Sequence, residues 1–472
     1  MASDVNAVYR RLPSVAEVLE LDEVDGLRGL GSRELIAESA RSVLALLRDR
    51  VRVGELDAEA LDECLAGIAE LVRQQLAERT RPQLRRVVNA TGVILQTNLG
   101  RAPLSEAAIA RIAEVARGYC NLEFDLEAGA RSRRDVLVED LLLRVLGVTE
   151  EGGRYAAAVV NNCAAATFLA LNTMAEGGEV IVSRGELVEI GGGFRIPEIL
   201  SKSGAVLREV GTTNKTRVSD YAAAIGPATR LILRVHRSNF EIRGFTEQPS
   251  MEELISLGRE AGVPVFDDQG TGCLVDLAEV GLPGEASWSR SVRSGAALVA
   301  CSGDKLLGGP QCGILLGSAA AVQRTRANPL FRALRVDKLT YAALEATLQA
   351  YLVGREGDLP VVAMLRMPAE AVRVRCRRWV EALQSERLQA EVVETRSVVG
   401  GGTTPGASLP SFAVALRCAG LSDDALARRL RGSRPAVVGR ASEGRVLLDL
   451  RTVAEADDEE LIGVVRGALD AS

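Results

Sequence analysis

Only four of the 57 cationic residues are lysines: Lys202, Lys215, Lys305 and Lys338. Arginine keeps its proton in a protein. Lysine can lose it, attack a carbonyl and form a Schiff base. Any amine chemistry in this chain therefore has few candidates, and Lys305 has the best surroundings. It sits in Leu298–Gly313, where an apolar run ends at Cys301, the turn Ser302-Gly303-Asp304-Lys305 follows, and a glycine pair leads to a second apolar run, Ile314–Leu316. That pattern places Lys305 at the exit of a buried strand, where open α/β sheets hold their ligands. Thirty-seven residues earlier, Phe266-Asp267-Asp268-Gln269-Gly270-Thr271-Gly272 puts carboxylates at the end of another buried strand.

A lysine, a carboxylate and an anion site are what pyridoxal 5'-phosphate requires of a protein. The carboxylate keeps the ring nitrogen protonated, so the ring can accept electrons. Asp268 is favoured over Asp267 for this role because it leads directly into the Gly-Thr-Gly turn; the competing reading is a helix cap. Asn161–Ala166 follows an apolar run and opens a helix. There the backbone N–H groups of Asn162, Cys163 and Ala164 can converge on a phosphate. Ser302 can add its hydroxyl to that phosphate. Asp304 is placed either to handle protons or to orient the lysine. His236, at a strand end, is either a cofactor or substrate contact or a satisfied structural histidine.

The elements that position these residues are legible as alternation. Apolar β-like runs at 155–160, 179–183, 205–210, 230–236, 264–267 and 296–301 alternate with helical segments near 164–175, 196–203, 217–225, 250–262 and 285–294. Short runs buried on both faces and separated by helices predict a mostly parallel sheet in a three-layer α/β/α sandwich. At 472 residues the chain is too long for one core. Three regions are expected: a helical domain over 1–80, a cofactor-binding catalytic domain over 81–355, and a small α+β domain over 356–472. In the first, a helix begins after Ser32 and a second spans Ala58–Leu76.

Composition narrows the class. Residues 1–80 hold 10 arginines against 16 acidic residues, while the rest of the chain is balanced. A nucleic-acid partner must therefore be met by local basic patches. The arginine-rich helix at 373–378 is one such patch, or else a solvated helix face. No stretch reaches ~18 uninterrupted apolar residues, so no membrane contact is expected, and Met1–Arg10 has no secretory leader pattern. One histidine and eight scattered cysteines without a C-x-x-C pair argue against a metal site and suit a reducing cytoplasm.

Ser302–Gln311 resembles the cofactor-lysine motif of the bacterial selenocysteine synthases, the L-seryl-tRNA(Sec) selenium transferases. The resemblance runs along nearly the whole chain, through Leu12–Val15, Asn89–Val93, Asn98–Ser105, Asn121–Glu127, Ser183–Gly192, Val210–Asn214, Gly244–Glu247 and Asn328–Thr340. It implies a fold-type-I pyridoxal-phosphate enzyme, assembled as a homodecamer (a pentamer of dimers). Such an enzyme converts seryl-tRNA(Sec) to selenocysteinyl-tRNA(Sec) with selenophosphate, through a dehydroalanyl intermediate. It makes Lys305 the cofactor lysine, Asp304 a catalytic residue, and 1–80 a tRNA-binding domain. It also makes Arg101, Arg134, Arg332 and Arg335 the receivers of the donor's phosphate; converging guanidiniums suit such a polyanion. Leu137 stands where the family carries a histidine. The alternative is a small-molecule pyridoxal-phosphate lyase of the same fold.

Overall fold

The computed structural model describes residues 7–149, 153–282 and 287–470. The chain forms two compact units, Met1–Arg86 and Val87–Ser472.

The first unit is helical. Ser32 caps the helix Arg33–Arg52, its Oγ accepting the Leu35 N–H at 3.3 Å. The single helix expected over 58–76 is two, Ala58–Ala66 and Ile68–Thr80, divided at Gly67. Glycine carries the highest backbone entropy cost in a helix, and this break lets the two segments change direction. Their apolar faces bury Leu44, Leu61, Val72 and Leu76 in one cluster. Most arginines here are tied to neighbouring acids, among them Arg73 to Glu70 and Arg79 to Glu38.

The second unit carries a seven-stranded sheet. Its spatial order is Tyr155–Val160, Gly313–Ser318, Leu298–Ser302, Val265–Asp268, Thr229–Val235, Glu179–Ser183 and Val206–Val210. All strands run parallel except Gly313–Ser318, which is antiparallel to both neighbours. Each strand except the edge strand Val206–Val210 is largely buried on both faces. Val299 and Cys301 enter one apolar cluster while Leu298 and Ala300 enter the other. This is the three-layer arrangement, and the six apolar runs read from the sequence are its six parallel strands.

A second, five-stranded sheet has the order Arg440–Ser442, Arg445–Asp449, Ser408–Cys418, Leu388–Gly400, Val93–Leu95. Its last member comes from far upstream and pairs in parallel with Leu388–Gly400. Val87–Asn89 likewise pairs with Ala436–Val438. The segment 87–95, read with the catalytic region, thus pairs with C-terminal strands, Val93–Leu95 in the five-stranded sheet and Val87–Asn89 in a separate two-stranded one. Leu388–Gly400 does not read as a strand in the sequence, because its buried positions switch from Leu388 and Ala390 to Ser397 and Val399 and no single alternation runs through it. Ala436–Val438 and Arg440–Ser442, one residue apart, are two strands in two sheets.

Trp379, Val372 and Cys376, on the helix Ala369–Leu383, pack beneath this sheet. That is the arginine-rich helix. Its Arg375 is buried, ion-paired with Asp458 and donating from Nη1 to the carbonyls of Leu450 (3.0 Å) and Val453 (3.1 Å). Arg373 pairs with Glu370 and Arg378 with Glu455. Removing one partner of a buried ion pair strands the other. Arg375→Ala should therefore destabilise the 87–472 unit by about 3–5 kcal/mol, while exposed Arg377→Ala changes it by less than about 0.5 kcal/mol. Denaturant unfolding of the two variants checks this, and equal effects would contradict it.

Candidate active site

The strand Leu298–Ser302 is wholly buried and ends in the turn that bears Lys305. Three backbone bonds hold the turn. The Gly303 N–H donates to the Cys312 carbonyl (2.9 Å), the Gly309 N–H to the Gly303 carbonyl (2.9 Å), and the Leu306 N–H to the Thr271 carbonyl (3.0 Å). The last bond ties the lysine turn to the Gly-Thr-Gly turn of the neighbouring strand. Gly272 makes the approach possible: its φ is +71°, and a Cβ there would stand 2.4 Å from the Ser302 carbonyl oxygen. The Lys305 amine ends over Gly270, whose Cβ position lies 3.6 Å from Nζ. Lys305 is only 7% exposed and makes no hydrogen bond or ion pair among the described residues. A buried amine without a partner is costly, so this one is suited to a group that engages Nζ.

Strand alternation sends Asp267 and Asp268 to opposite faces. Asp267 accepts from Ser291 Oγ (2.7 Å) and Gln269 Nε2 (2.8 Å). Asp268 accepts from Thr167 Oγ1 (2.9 Å) and Cys163 Sγ (3.8 Å), both on the helix Cys163–Ala175. Burial raises both carboxyls above the ordinary range, Asp268 to about 6. The Thr167 hydrogen bond and then the Lys305 charge pull Asp268 back. Of the two, Asp268 is the one that shares a site with Lys305.

The same helix starts at the exit of Tyr155–Val160. Asn162 is its N-cap, with Oδ1 accepting the Ala165 N–H at 2.8 Å. The first N–H groups, including those of Cys163 and Ala164, are left for an anion. Lysine, buried acid and helix start lie close enough for the charges of Lys305 and Asp268 to act on the Cys163 thiol, which burial above all pushes far up. These residues fit pyridoxal phosphate: an amine, a carboxyl able to hold a proton, and a phosphate cradle.

Asp304 is 6% exposed and doubly held. Ser302 Oγ donates to Oδ1 at 2.6 Å, and Arg101 Nη1 to Oδ2 at 2.7 Å. The Ser302 hydroxyl, expected at the cofactor phosphate, is thus committed to Asp304. Arg101 reaches it from a left-handed backbone conformation (φ +61°) beside Gly100 (φ +94°). Non-glycine residues avoid that region, and it concentrates at functional sites.

Arg134 and Arg335 meet on one carboxylate, Glu123, at 2.6 and 3.4 Å, and Arg131 joins them at 3.2 Å. The Arg134 hydrogen bond holds the Glu123 carboxyl below its ordinary range. Arg335 is attached to the cradle, because the Asn161 N–H donates to the Leu334 carbonyl (3.0 Å) and Arg335 bridges Val160. Arg332, on the short helix Pro329–Ala333, is exposed and makes no ion pair among the described residues. Within one chain, Arg134 and Arg335 thus share Glu123, Arg101 holds Asp304, and Arg332 is paired with neither carboxylate. The half-buried His236 gives its backbone N–H to the Asp268 carbonyl (2.9 Å). It lines a cleft of about 670 Å³ with Arg234, Arg237, Gln248, Asp267 and Ser291.

The sequence reading did not find Thr167 or Glu123. The only signal for Thr167 was its place one helical turn after Cys163; for Glu123, it was the three arginines that follow.

The family model for L-seryl-tRNA selenium transferases, SelA, matches residues 87–454. The chain belongs to this family. A relative named L-seryl-tRNA(Sec) selenium transferase from Geobacter sulfurreducens is 45% identical over 97% of this chain and 99% of its own. One of the same name from Aquifex aeolicus is 42% identical over 96% and 97%. Among solved structures, D-glucosaminate-6-phosphate ammonia-lyase covers 84% of this chain and 98% of its own, at a TM-score of 0.54 and 20% identity. That likeness shows the fold, which is fold type I.

The raised Asp268 carboxyl has a thermodynamic signature. Its folded value of about 6 lies above the ordinary 3.8, so between these values the folded state binds more protons. Its contribution is fully present below the lower value and is lost as pH rises through the upper. In cofactor-free protein, Asp268→Asn should raise stability near pH 7.5 by up to about 3 kcal/mol. The gap should close as pH falls through 6 towards 4. Thermal unfolding across that range checks it, and a pH-independent difference would contradict it.

Proposed function

We propose that this protein is a pyridoxal-phosphate-dependent L-seryl-tRNA(Sec) selenium transferase, converting seryl-tRNA(Sec) to selenocysteinyl-tRNA(Sec) with selenophosphate. The observation that carries this reading is Lys305 and Asp268 buried at the ends of adjacent strands beside an open helix start, in a chain of this family over nearly its full length. When bound, the cofactor supplies an electron sink for negative charge at the seryl α-carbon.

The chain's own residues do the rest. The N–H groups of Cys163 and Ala164 bind the cofactor phosphate after Asn162. Asp268 holds the proton of the ring nitrogen. His236 and Ser302 border the site. Lys305, displaced by the seryl amine, takes the α-proton. Asp304, fixed by Ser302 and Arg101, keeps a negative charge near Lys305 and orients it. The β-hydroxyl leaves as water, selenium from the donor bonds to the β-carbon, and a water molecule takes the donor's phosphoryl group as the P–Se bond breaks, giving phosphate. Arg134 and Arg335 receive that donor, with Arg101 and Arg332 completing the set in a homodecamer, where arginines of neighbouring subunits can contribute. The helical unit before Val87 meets the tRNA, by shape more than by net charge. The same reading places the protein in the cytoplasm; no helix among the described residues is long and apolar enough to cross a membrane.

Lys305→Ala should lose both the visible absorption of bound cofactor and all turnover of seryl-tRNA(Sec); retained selenocysteinyl-tRNA formation would sink the proposal. Arg335→Ala should keep the absorption and raise KM for selenophosphate roughly tenfold or more, as loss of one charge-assisted contact predicts. An unchanged KM would remove Arg335 from the donor site.

A further inference from the structure

We infer that Thr167 is a positioning residue for the cofactor: its hydroxyl, with the Cys163 thiol one helical turn earlier, clamps both oxygens of Asp268 with neutral donors. The inference rests on the reading that Asp268 faces the ring nitrogen of pyridoxal phosphate.

The geometry is specific. Cys163 and Thr167 are four residues apart on one helix, so their side chains share a face. Sγ of Cys163 lies 3.8 Å from Oδ1 of Asp268, and Oγ1 of Thr167 lies 2.9 Å from Oδ2. Two anchors on two oxygens fix the carboxyl plane, which one donor would leave free to rotate. Thr167 is 1% exposed, and its Oγ1 also lies 3.1 Å from the Cys163 carbonyl oxygen, so the helix itself restrains its rotamer. The Asn162 cap in turn fixes the start of that helix. One short segment thus sets the phosphate cradle and the acid's orientation together.

The donors' neutrality matters as much as their position. An arginine here would hold Asp268 ionised and low. A hydroxyl and a thiol orient it while leaving it able to share a proton. The helix Cys163–Ala175 carries no charged residue. The ionisable groups whose charge couples to Asp268 are Lys305 from the lysine turn, Cys163 on the helix, Cys301 on the adjoining strand and, from the other face of its own strand, Asp267. Lys305 alone among them is cationic, and in the proposed function it is occupied with the cofactor. Holding the carboxyl towards the ring then falls to Thr167.

The test uses the purified full chain and pyridoxal phosphate alone, without tRNA. Thr167→Val keeps the volume and removes the donor. It should weaken cofactor binding about 10- to 100-fold, the range for a hydrogen bond to a charged group. It should also move the pH dependence of the bound-cofactor absorption to higher pH, because a donor that lowers the Asp268 pKa is gone. Thr167→Ser should restore both readouts to within a few-fold of wild type. Cys163→Ala should cost less, since a thiol is a weak donor.

Wild-type affinity and pH profile in Thr167→Val would overturn the inference. So would equal losses in Thr167→Val and Thr167→Ser, which mark a packing role, and failure of the wild-type chain to bind the cofactor. A chain that binds cofactor in this Thr167-dependent way but makes no selenocysteinyl-tRNA would keep the inference and sink the proposed reaction.

Discussion

Two ionisable groups, Asp268 and Lys305, are kept out of water at the ends of adjacent strands, and much of the surrounding construction answers to the cost of that burial. A carboxyl in a low-dielectric site either protonates or finds donors. Asp268 does some of each: its pKa rises to about 6, and Thr167 and Cys163 supply donors. Lys305 is fixed by backbone bonds on both sides of its turn, with no side chain spent on its amine. The site is rigid in its frame and unsatisfied at its reactive atom, which is what a cofactor lysine needs.

A second ionic system surrounds the first and is solved differently. Asp304 and Glu123 are fully paired, one with Arg101 and Ser302, the other with Arg131, Arg134 and Arg335. Here charge is balanced in place. The left-handed backbone at Arg101 shows that the Arg101–Asp304 contact is held against a local conformational preference. The guanidiniums of this region are thus already oriented by protein carboxylates.

What the sequence disclosed divides along physical lines. Five of the six parallel strands were legible because strands buried on both faces need apolar runs, as in Leu298–Cys301 or Val180–Val182; the edge strand Val206–Val210, with Arg208 and Glu209 exposed, was legible from its place in the alternation. Lys305 was legible through scarcity, and Asp268 through its turn. The strand Leu388–Gly400 was not, since its buried positions swap faces midway, from Leu388 and Ala390 to Ser397 and Val399, and it pairs with Val93–Leu95, a chain separation (398 − 93) of 305 residues. Thr167 was hidden for a related reason. A threonine in an alanine-rich helix has no local mark of function, and its partner lies 101 residues downstream. Arg332 shows the reverse. The resemblance gave it a shared role with Arg335, but the short helix Pro329–Ala333 ends between them, and Arg335 pairs with Glu123 while Arg332 is exposed and makes no ion pair among the described residues.

The antiparallel strand Gly313–Ser318 has one more consequence. Because it returns beside Leu298–Ser302, the lysine turn is the loop of a hairpin, while the other strands of the sheet are joined by long crossovers. Closing a ten-residue loop costs little entropy, and its geometry depends on residues close by in the chain. The crossovers between the other strands could lengthen or shorten over evolutionary time without disturbing the placement of Lys305. The reactive amine is thereby insulated from the parts of the fold most open to change.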